Sequence, residues 1–236
     1  MYGWRARIGL IVPSSNTTME PELYQMIPQG VSIHTARIPL REVTRESLLE
    51  MEKHSIRAAK ELLDADVDII LYGCTSGSLI GGPGFDIAIS KKIYEATNKP
   101  VVTTATAVVE ALKKMNANKI IVATPYIDEI NEEERRFLEY HGFKVLTIKG
   151  MGIRSNLEIG KITPWEVYRF AKNVSIGEAD ALFISCTNLR TIEIIEILEK
   201  DLGIPVVTSN QASLWFTLRK IGIMDVIRGY GKLLTL

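Results

Sequence analysis

The sequence predicts an α/β protein made of two pseudo-symmetric, doubly wound parallel-sheet domains, with the active site in the cleft between them. Two observations favour this fold class: short β-branched apolar runs alternate with helical patterns, and the second half of the chain repeats the first. Continuous apolar strands that alternate with helices are typical of parallel strands whose two faces are both covered.

Eight strands are predicted, each four to seven residues long and rich in Val and Ile, which favour extended backbone. In chain order they cover residues 8–12, 31–37, 67–72, 101–104, 119–124, 143–149, 180–185 and 205–208. Helices are predicted between them because apolar residues recur there at three- and four-residue spacing. These helices lie near 45–64, 85–97, 105–116, 128–140, 163–175, 191–201 and 210–221.

The internal repeat relates positions that are 112 residues apart, so that Pro13 corresponds to Pro125 and Cys74 to Cys186. After the cysteines the spacing falls to 105, because the first half has a longer, glycine-rich loop at 77–84, which we interpret as a wall of the cleft. A repeat of this length indicates two similar domains rather than a solenoid. We expect a first domain at 1–117, completed by the C-terminal segment 210–236, and a second domain at 118–209.

Composition argues against several classes of protein. The 236 residues have a formal net charge of zero and no Lys/Arg cluster, which argues against a nucleic-acid binder. The longest apolar runs have the length of a strand, so no membrane span is expected. Two cysteines form neither a disulfide framework nor a four-ligand zinc site, and reduced thiols favour a cytoplasmic location.

Cofactor motifs are also missing from the sequence. His34, His54 and His141 show no metal-ligand spacing, so no metal is expected. The glycine-rich loop matches neither a P-loop nor a dinucleotide-binding fingerprint. The sequence therefore predicts no metal and no nucleotide cofactor.

The first strand ends in a polar turn, Pro13-Ser14-Ser15-Asn16-Thr17-Thr18. Ser, Asn and Thr at such a turn cap the next helix, and the exposed N–H groups of the helix can also bind an anion. Both interpretations remain open for Ser15 and Asn16. Ligands of open parallel sheets bind outside the carboxyl ends of the strands, where this turn lies.

Each cysteine follows a strand and precedes a helical pattern, in Gly73-Cys74-Thr75-Ser76 and Ser185-Cys186-Thr187-Asn188. Backbone N–H groups at a helix N-terminus favour the thiolate form of a cysteine. A single cysteine is more often a small core residue, but two at equivalent positions of a repeat favour a shared function. If the halves face each other, both thiols reach one cleft.

Two further polar side chains follow strands of the second half. Tyr126 lies in the loop that is equivalent to the Pro13 turn, and Asn156 follows the strand at 143–149. Either side chain could donate a hydrogen bond to a carboxylate, and either could be purely structural. Neither residue is diagnostic by itself.

Taken together, these loops resemble those of the aspartate/glutamate racemase superfamily and, within it, the maleate cis-trans isomerases. The resemblance spans nearly the whole chain, and its motifs are Pro13-Ser14-Ser15-Asn16-Thr17-Thr18-Met19-Glu20, Gly73-Cys74-Thr75-Ser76, Thr124-Pro125-Tyr126, Ser155-Asn156 and Ser185-Cys186-Thr187-Asn188-Leu189-Arg190-Thr191. It implies a cofactor-free site with one cysteine from each domain.

The resemblance also implies a role for each site residue. Cys74 matches the nucleophile, and Cys186 matches the second cysteine, whose role stays open between proton transfer and activation of Cys74. Asn16, Tyr126 and Asn156 match the carboxylate-binding side chains. We expect a further binding group, mainly of backbone and hydroxyl donors, that consists of Ser15, Thr75, Ser76, Thr187 and Asn188.

The activity that the resemblance implies is the conversion of maleate, a small dicarboxylate, to fumarate by reversible thiolate addition and rotation about the C2–C3 bond. An amino-acid or hydantoin racemase with two cysteine bases is the first alternative, and a malonate-type decarboxylase is the second. Such decarboxylases lack the first-half cysteine, so Cys74 argues against them. A non-catalytic anion-binding protein is the third alternative. We also expect a homo-oligomer, in particular a dimer.

Overall fold

The computed structural model describes residues 2–174 and 177–236 and contains two four-stranded parallel sheets. The first sheet consists of β1 (Ala6–Pro13), β2 (Val31–Ile38), β3 (Ile69–Tyr72) and β4 (Val101–Thr103), in the spatial order β2-β1-β3-β4. The second consists of β5 (Lys119–Thr124), β6 (Lys144–Gly150), β7 (Ala181–Ile184) and β8 (Val206–Thr208), in the equivalent order β6-β5-β7-β8. The predicted fold class is confirmed.

Helices connect the strands and cover the sheets. Those of the first half are α1 (Met19–Met26), α2 (Arg45–Glu52), α3 (Ser55–Leu63), α4 (Thr75–Leu79), α5 (Phe85–Thr97) and α6 (Thr104–Lys114). Those of the second half are α7 (Asp128–Tyr140), α8 (Asn156–Lys161), α9 (Pro164–Lys172), α10 (Ile195–Leu202) and α11 (Ser209–Lys220), followed by a short 3-10 helix at Leu233–Thr235.

The helices differ from the sequence prediction in four respects. The helix expected at 45–64 is two helices, α2 and α3, and the helix expected at 191–201 begins only at Ile195. The sequence prediction does not include helices α1, α4 and α8. They are eight, five and six residues long and have too few turns to show a clear apolar period. Helix α9 ends at Lys172, and residue 175, the last of its predicted range, lies outside the described residues.

The central strands of each sheet bring the functional loops together. In the first sheet β1 pairs with β3, and in the second β5 pairs with β7, both in parallel. All four residues of β3 and of β7 are buried. The loops after β1 and β3, and those after β5 and β7, therefore leave neighbouring carboxyl ends, where parallel sheets hold their ligands.

Helix α11 follows the second sheet in the chain but packs mainly against helix α6 of the first half. It also contacts α1 and β4 of the first half and β8 of the second sheet. On these contacts we propose the domain division predicted from the repeat, with 1–117 and 210–236 in one domain and 118–209 in the other. No helix among residues 2–174 and 177–236 combines the length and the apolar composition that crossing a bilayer requires.

Candidate active site

Cys74 lies between β3 and α4 and is the N-cap residue of that helix. Its Sγ atom accepts a hydrogen bond from the Gly77 N–H at 3.3 Å and lies 3.9 Å from the Ser76 hydroxyl oxygen. The residue is only 5% exposed. The predicted contact between the thiol and a helix N-terminus is therefore present, in a buried setting.

Cys186 occupies the equivalent turn after β7 but has a different backbone conformation. Its φ angle is 103°, whereas that of Cys74 is −148°. A non-glycine residue in this region costs on the order of 1–3 kcal/mol and persists where its surroundings hold it. Here the Cys186 N–H donates to the Ser209 hydroxyl oxygen at 3.0 Å, and the Asn188 N–H donates to Sγ at 3.3 Å.

Tyr126 lies near both thiols. Burial raises the pKa of its hydroxyl, and charge on Cys186 and on Cys74 raises it further, so the tyrosine lies close to both sulfur atoms. Cys74, Tyr126 and Cys186 belong to one cluster of packed buried side chains. The two sulfur atoms of the repeated halves thus face one common space.

Burial controls the ionisation of both thiols. It raises the pKa of Cys74 to about 11 and that of Cys186 to about 12, although the Gly77 N–H and the Asn188 N–H act in the opposite direction. The sequence predicted that N–H donors would favour the thiolate, and these donors are present. Desolvation outweighs them, because a buried charge loses its water and two weak donors do not replace it.

Asn16 links the two halves of the protein. Its carboxamide oxygen accepts the N–H groups of Thr18 and Met19 at 3.0 and 2.9 Å, which caps the start of α1. Its amide group donates to the Thr187 hydroxyl at 3.0 Å, and Thr187 donates to the Gly73 carbonyl at 3.3 Å. Asn16 is therefore a helix cap, and its amide donor is held at the contact between the two cysteine loops.

Asn156 lies above the same space, at the start of α8. Its side-chain amide donates to the Ser15 hydroxyl at 2.8 Å, and its backbone carbonyl accepts from the side-chain amide of Asn188 at 2.6 Å. Its own N–H donates to the Arg41 carbonyl at 2.9 Å. Ser15 in turn donates to the Leu40 carbonyl. The predicted residues Ser15, Asn156 and Asn188 are thus one connected network.

A segment of the first half reaches across the cleft. Glu42 forms an isolated antiparallel β-bridge with Ser155, and the Val43 N–H donates to the Arg154 carbonyl at 2.7 Å. A cavity of about 480 Å³ opens beside this bridge and is lined by Ser14, Ser15, Leu40, Arg41, Ser155 and Leu157. The cavity therefore lies beside Ser15, at the edge of the network that Asn156 forms.

The donors around the two thiols are uncharged. Apart from the two thiols, the predicted site residues offer hydroxyl, amide and backbone N–H groups. The guanidinium of Arg190 donates to the Gly160 carbonyl at 3.1 Å. Among residues 2–174 and 177–236, no group of three His, Cys, Asp or Glu side chains is arranged to hold a metal ion. The arrangement is suited to binding carboxylates through neutral donors beside two nucleophilic sulfur atoms.

Ser209 is a site residue that the sequence analysis missed. Its hydroxyl oxygen accepts from the Thr75 hydroxyl at 2.8 Å and from the Cys186 N–H at 3.0 Å, so that it joins both cysteine loops. The repeat carried a signal for it, because Thr208-Ser209 corresponds to Thr103-Thr104 after the shared Pro-Val-Val segment. In both halves the first threonine caps the following helix.

We expect Ser209→Ala to lower the free energy of unfolding by about 2 kcal/mol, because two buried donors lose their acceptor. It should also lower kcat, because both cysteine loops lose a shared anchor. Ser213→Ala is the matched control: Ser213 lies on the same helix and donates to Thr104 at 3.1 Å, away from the cysteine loops. Urea denaturation and kcat measured on both variants check this, and equal kcat values would contradict it.

Comparison with known proteins adds the family. The model of the arylmalonate decarboxylase family matches residues 8–234. A maleate isomerase from Nocardia farcinica is 31% identical over 97% of this chain and 95% of its own length.

Solved structures of maleate isomerases share the fold at full length. An alanine variant of one cysteine in the enzyme from Pseudomonas putida S16, solved with maleate, superposes with a TM-score of 0.94 at 26% identity and covers 98% of this chain and 97% of its own. A serine variant of one cysteine in the Nocardia farcinica enzyme carries a covalently bound succinylcysteine intermediate; its TM-score is 0.93 at 30% identity, with 98% of both chains covered. This chain therefore belongs to the arylmalonate decarboxylase family, and it is similar over its full length to maleate isomerases, whose loop motifs it resembles.

Proposed function

We propose that this protein converts maleate to fumarate by reversible addition of the Cys74 thiolate, without a cofactor. One observation carries the proposal: the thiols of Cys74 and Cys186 meet at Tyr126 in a buried space surrounded by neutral hydrogen-bond donors. The full-length similarity to maleate isomerases supports it.

The substrate would be held by donors from both halves. The amide groups of Asn16 and Asn156 and the hydroxyl of Tyr126 belong to residues that are each 3% exposed or less. With the N–H groups of Thr75, Ser76 and Thr187 and the Ser76 hydroxyl, they can face two carboxylates. Preorganised donors of this kind are worth about 3 kcal/mol each where charge develops in a site that excludes water.

Isomerisation requires the C2–C3 double bond of maleate to become temporarily single. The Cys74 sulfur gives an electron pair to C2, and the π electrons move to C3 and into its carboxylate, giving an enediolate-like species. Rotation about the C2–C3 bond follows. Return of the electron pair re-forms the double bond in the trans geometry, expels the thiolate and leaves no net change in protons.

Cys186 stands beside the same two carbons as a protonated thiol, since burial keeps its pKa at about 12. We assign it to proton transfer at C3: the Cys186 thiol gives its proton to C3 of the enediolate-like species. After rotation the Cys186 thiolate takes a proton back from C3 as the C2–S bond breaks, so that there is no net change in protons. The succinylcysteine seen in the Nocardia farcinica variant is a saturated adduct, in which the second alkene carbon has gained a proton. Tyr126, which lies beside the Cys186 thiol, would orient it for this transfer.

The experiment is incubation of the protein with maleate in deuterated buffer, followed by NMR. We expect the maleate signal to be replaced by that of fumarate, and dialysis against EDTA to leave the rate unchanged. No fumarate, together with deuterium at the α-carbon of an added amino acid, would instead identify the racemase alternative.

A malonate-type decarboxylase is the second candidate, because the matching family model is that of arylmalonate decarboxylase. The presence of Cys74, the first-half thiol, favours the isomerase. Release of carbon dioxide from phenylmalonate, in the absence of maleate turnover, would favour the decarboxylase.

We also propose a cytoplasmic location and a homodimer. Two thiols must remain reduced for the mechanism, and the cytosol keeps them so. Large apolar side chains are exposed on the surface, among them Trp4 at 61% and Met224 at 66%, and a second subunit could bury them. Light scattering coupled to size-exclusion chromatography measures the mass, and a mass near 26.4 kDa would contradict the dimer.

A further inference from the structure

The repeat places two buried glutamates at equivalent positions. Glu22 on α1 and Glu134 on α7 are 112 positions apart, and they are 4% and 0% exposed. A carboxyl group is rarely buried so completely without a partner. Their hydrogen-bond partners differ: Glu22 accepts bonds from the segment that follows Cys186 and from Asn210, whereas Glu134 accepts a bond from Ser185, the residue before Cys186.

Glu22 is surrounded by donors that are more than 160 residues away in the chain. Its oxygens accept from the Thr191 and Ile192 N–H groups at 2.5 and 3.3 Å and from the Asn210 amide at 2.6 Å. These N–H groups are free to do so because the segment after Cys186 is not helical until α10 begins at Ile195.

Glu134 has a single donor among the described residues. The Ser185 hydroxyl donates to Oε1 at 2.6 Å, while Oε2 has no hydrogen-bond partner in the same part of the chain. Helix α4, which packs against α7, uses backbone N–H groups within its own turns, as the Ile80 N–H bond to the Ser76 carbonyl shows. Among residues 2–174 and 177–236, no backbone N–H group donates a hydrogen bond to the Glu134 carboxyl group, in contrast to Glu22.

The charge state of Glu134 follows from these contacts. Burial raises its pKa to about 8, and the Ser185 hydroxyl only partly opposes this. A carboxylate with one unpartnered oxygen is costly in a buried site, so the neutral acid is the form present at neutral pH.

The groups that face Glu134 are Tyr126 and Cys186, and a charge on Glu134 raises the pKa of both. On its own helix, Glu133 pairs with Arg45 and Arg136, and Arg135 with Glu132 and Glu139. Lys144 and Lys149 on the neighbouring strand β6 are exposed, and α4 contains no titratable residue. No cation among these compensates an ionised Glu134.

Resting on the proposed function, we propose that Glu134 is a positioning residue: as a neutral carboxyl group it holds Ser185, and through Ser185 the strained turn that presents the Cys186 thiol to the substrate. Ser185 directly precedes Cys186, whose φ angle is 103°. The equivalent residue of the first half is Gly73, which has no side chain to hold, and Cys74 has an ordinary extended backbone. The hydrogen bond between Ser185 and Glu134 therefore positions the Cys186 thiol, and the Cys74 thiol has no equivalent contact.

The first test compares Glu134→Gln, which stays neutral and keeps the contact, with Glu134→Leu, which removes it. We expect kcat of Glu134→Leu to fall about tenfold or more at pH 7, with a smaller change in KM, and Glu134→Gln to rescue most of the loss. The ratio of kcat in Glu134→Gln to kcat in the unsubstituted protein should rise about threefold to tenfold as pH increases through 8. A pH-independent ratio, or equal kcat values for the two variants, would overturn the proposal.

A matched control separates positioning from general stability. Ser185→Ala should lower kcat as Glu134→Leu does. Ser55→Ala also removes a buried hydroxyl that donates to a glutamate, Glu52 at 3.1 Å, but on α3 and away from the site, so it should affect stability alone. Equal kcat values for Ser185→Ala and Ser55→Ala would count against the proposal.

The second test is independent of isomerase activity. In a Cys74→Ser background, iodoacetamide labels Cys186, and the labelling rate reports its thiolate fraction. Above pH 8, adding Glu134→Gln should increase the rate about threefold to tenfold, because the opposing charge is removed. An unchanged rate would overturn the role of Glu134 even if the protein isomerises maleate, whereas absence of isomerisation with a changed rate would overturn only the proposed function.

Discussion

Replacing Cys74 by serine is expected to lower the conversion of maleate to fumarate by about 10³-fold or more. A serine hydroxyl at this position gains no general base, since the hydrogen-bond partners of the Cys74 sulfur among the described residues are the Gly77 N–H and the Ser76 hydroxyl. An alcohol is far less acidic than a thiol and adds poorly to an alkene without activation. Fumarate formation followed by NMR or by absorbance measures the loss.

Cys186→Ser is the matched control, because it changes the equivalent residue of the other half in the same way. We expect it to retain covalent addition, detectable by mass spectrometry as an adduct of about 116 Da, the mass of maleic acid, on Cys74. Near-normal turnover by Cys74→Ser, or an adduct on Cys186 instead, would remove the nucleophilic role of Cys74.

Replacing Glu22 by alanine is expected to lower the free energy of unfolding by about 3 kcal/mol or more at pH 6. The N–H groups of Thr191 and Ile192 and the amide of Asn210 would lose their acceptor inside the contact between the two halves. Urea denaturation measures this. Glu46→Gln, which alters an exposed carboxylate on α2, is the control and should change stability by less than about 0.5 kcal/mol.

The same residue makes stability depend on pH. Burial raises the pKa of Glu22 from 4.5 to about 7 in the folded protein, with the Asn210 amide and the Thr191 N–H opposing it. A group whose pKa is raised on folding binds its proton more tightly in the folded state, so its contribution is complete below pH 4.5 and is lost as pH rises through about 7. The difference in unfolding free energy between the unsubstituted protein and Glu22→Gln should therefore fall by about 3 kcal/mol over this range. A constant difference would contradict the shift.

The repeat explains why so much of the fold was predictable. Equivalent apolar runs, separated by helical patterns, predicted all eight strands and the two parallel sheets. Because equivalent loops of a repeat leave equivalent strand ends, the repeat also predicted that Cys74 and Cys186 would face one cleft. Asn16 shows a limit: the sequence left open whether it caps a helix or binds an anion, and its oxygen caps α1 while its amide donates across the halves.

Other features depend on three-dimensional contacts that no local pattern records. The left-handed backbone of Cys186 is held by Ser209, which lies 23 residues away in the chain. The high pKa values of both thiols come from desolvation by packing, which outweighs the helix N-terminus visible in the sequence. Glu22 and Glu134 sit in ordinary charged helices and gave no signal of burial.

The unequal backbone of the two cysteine turns has a stereochemical consequence. Maleate presents two interchangeable alkene carbons, and a site with two equal sulfurs would attack either face. Because the Cys74 turn has an extended backbone and the Cys186 turn a left-handed one, the two sulfurs are not equivalent, and in the proposed mechanism sulfur adds only from the Cys74 side. The transient adduct is then formed as a single enantiomer, although neither maleate nor fumarate is chiral.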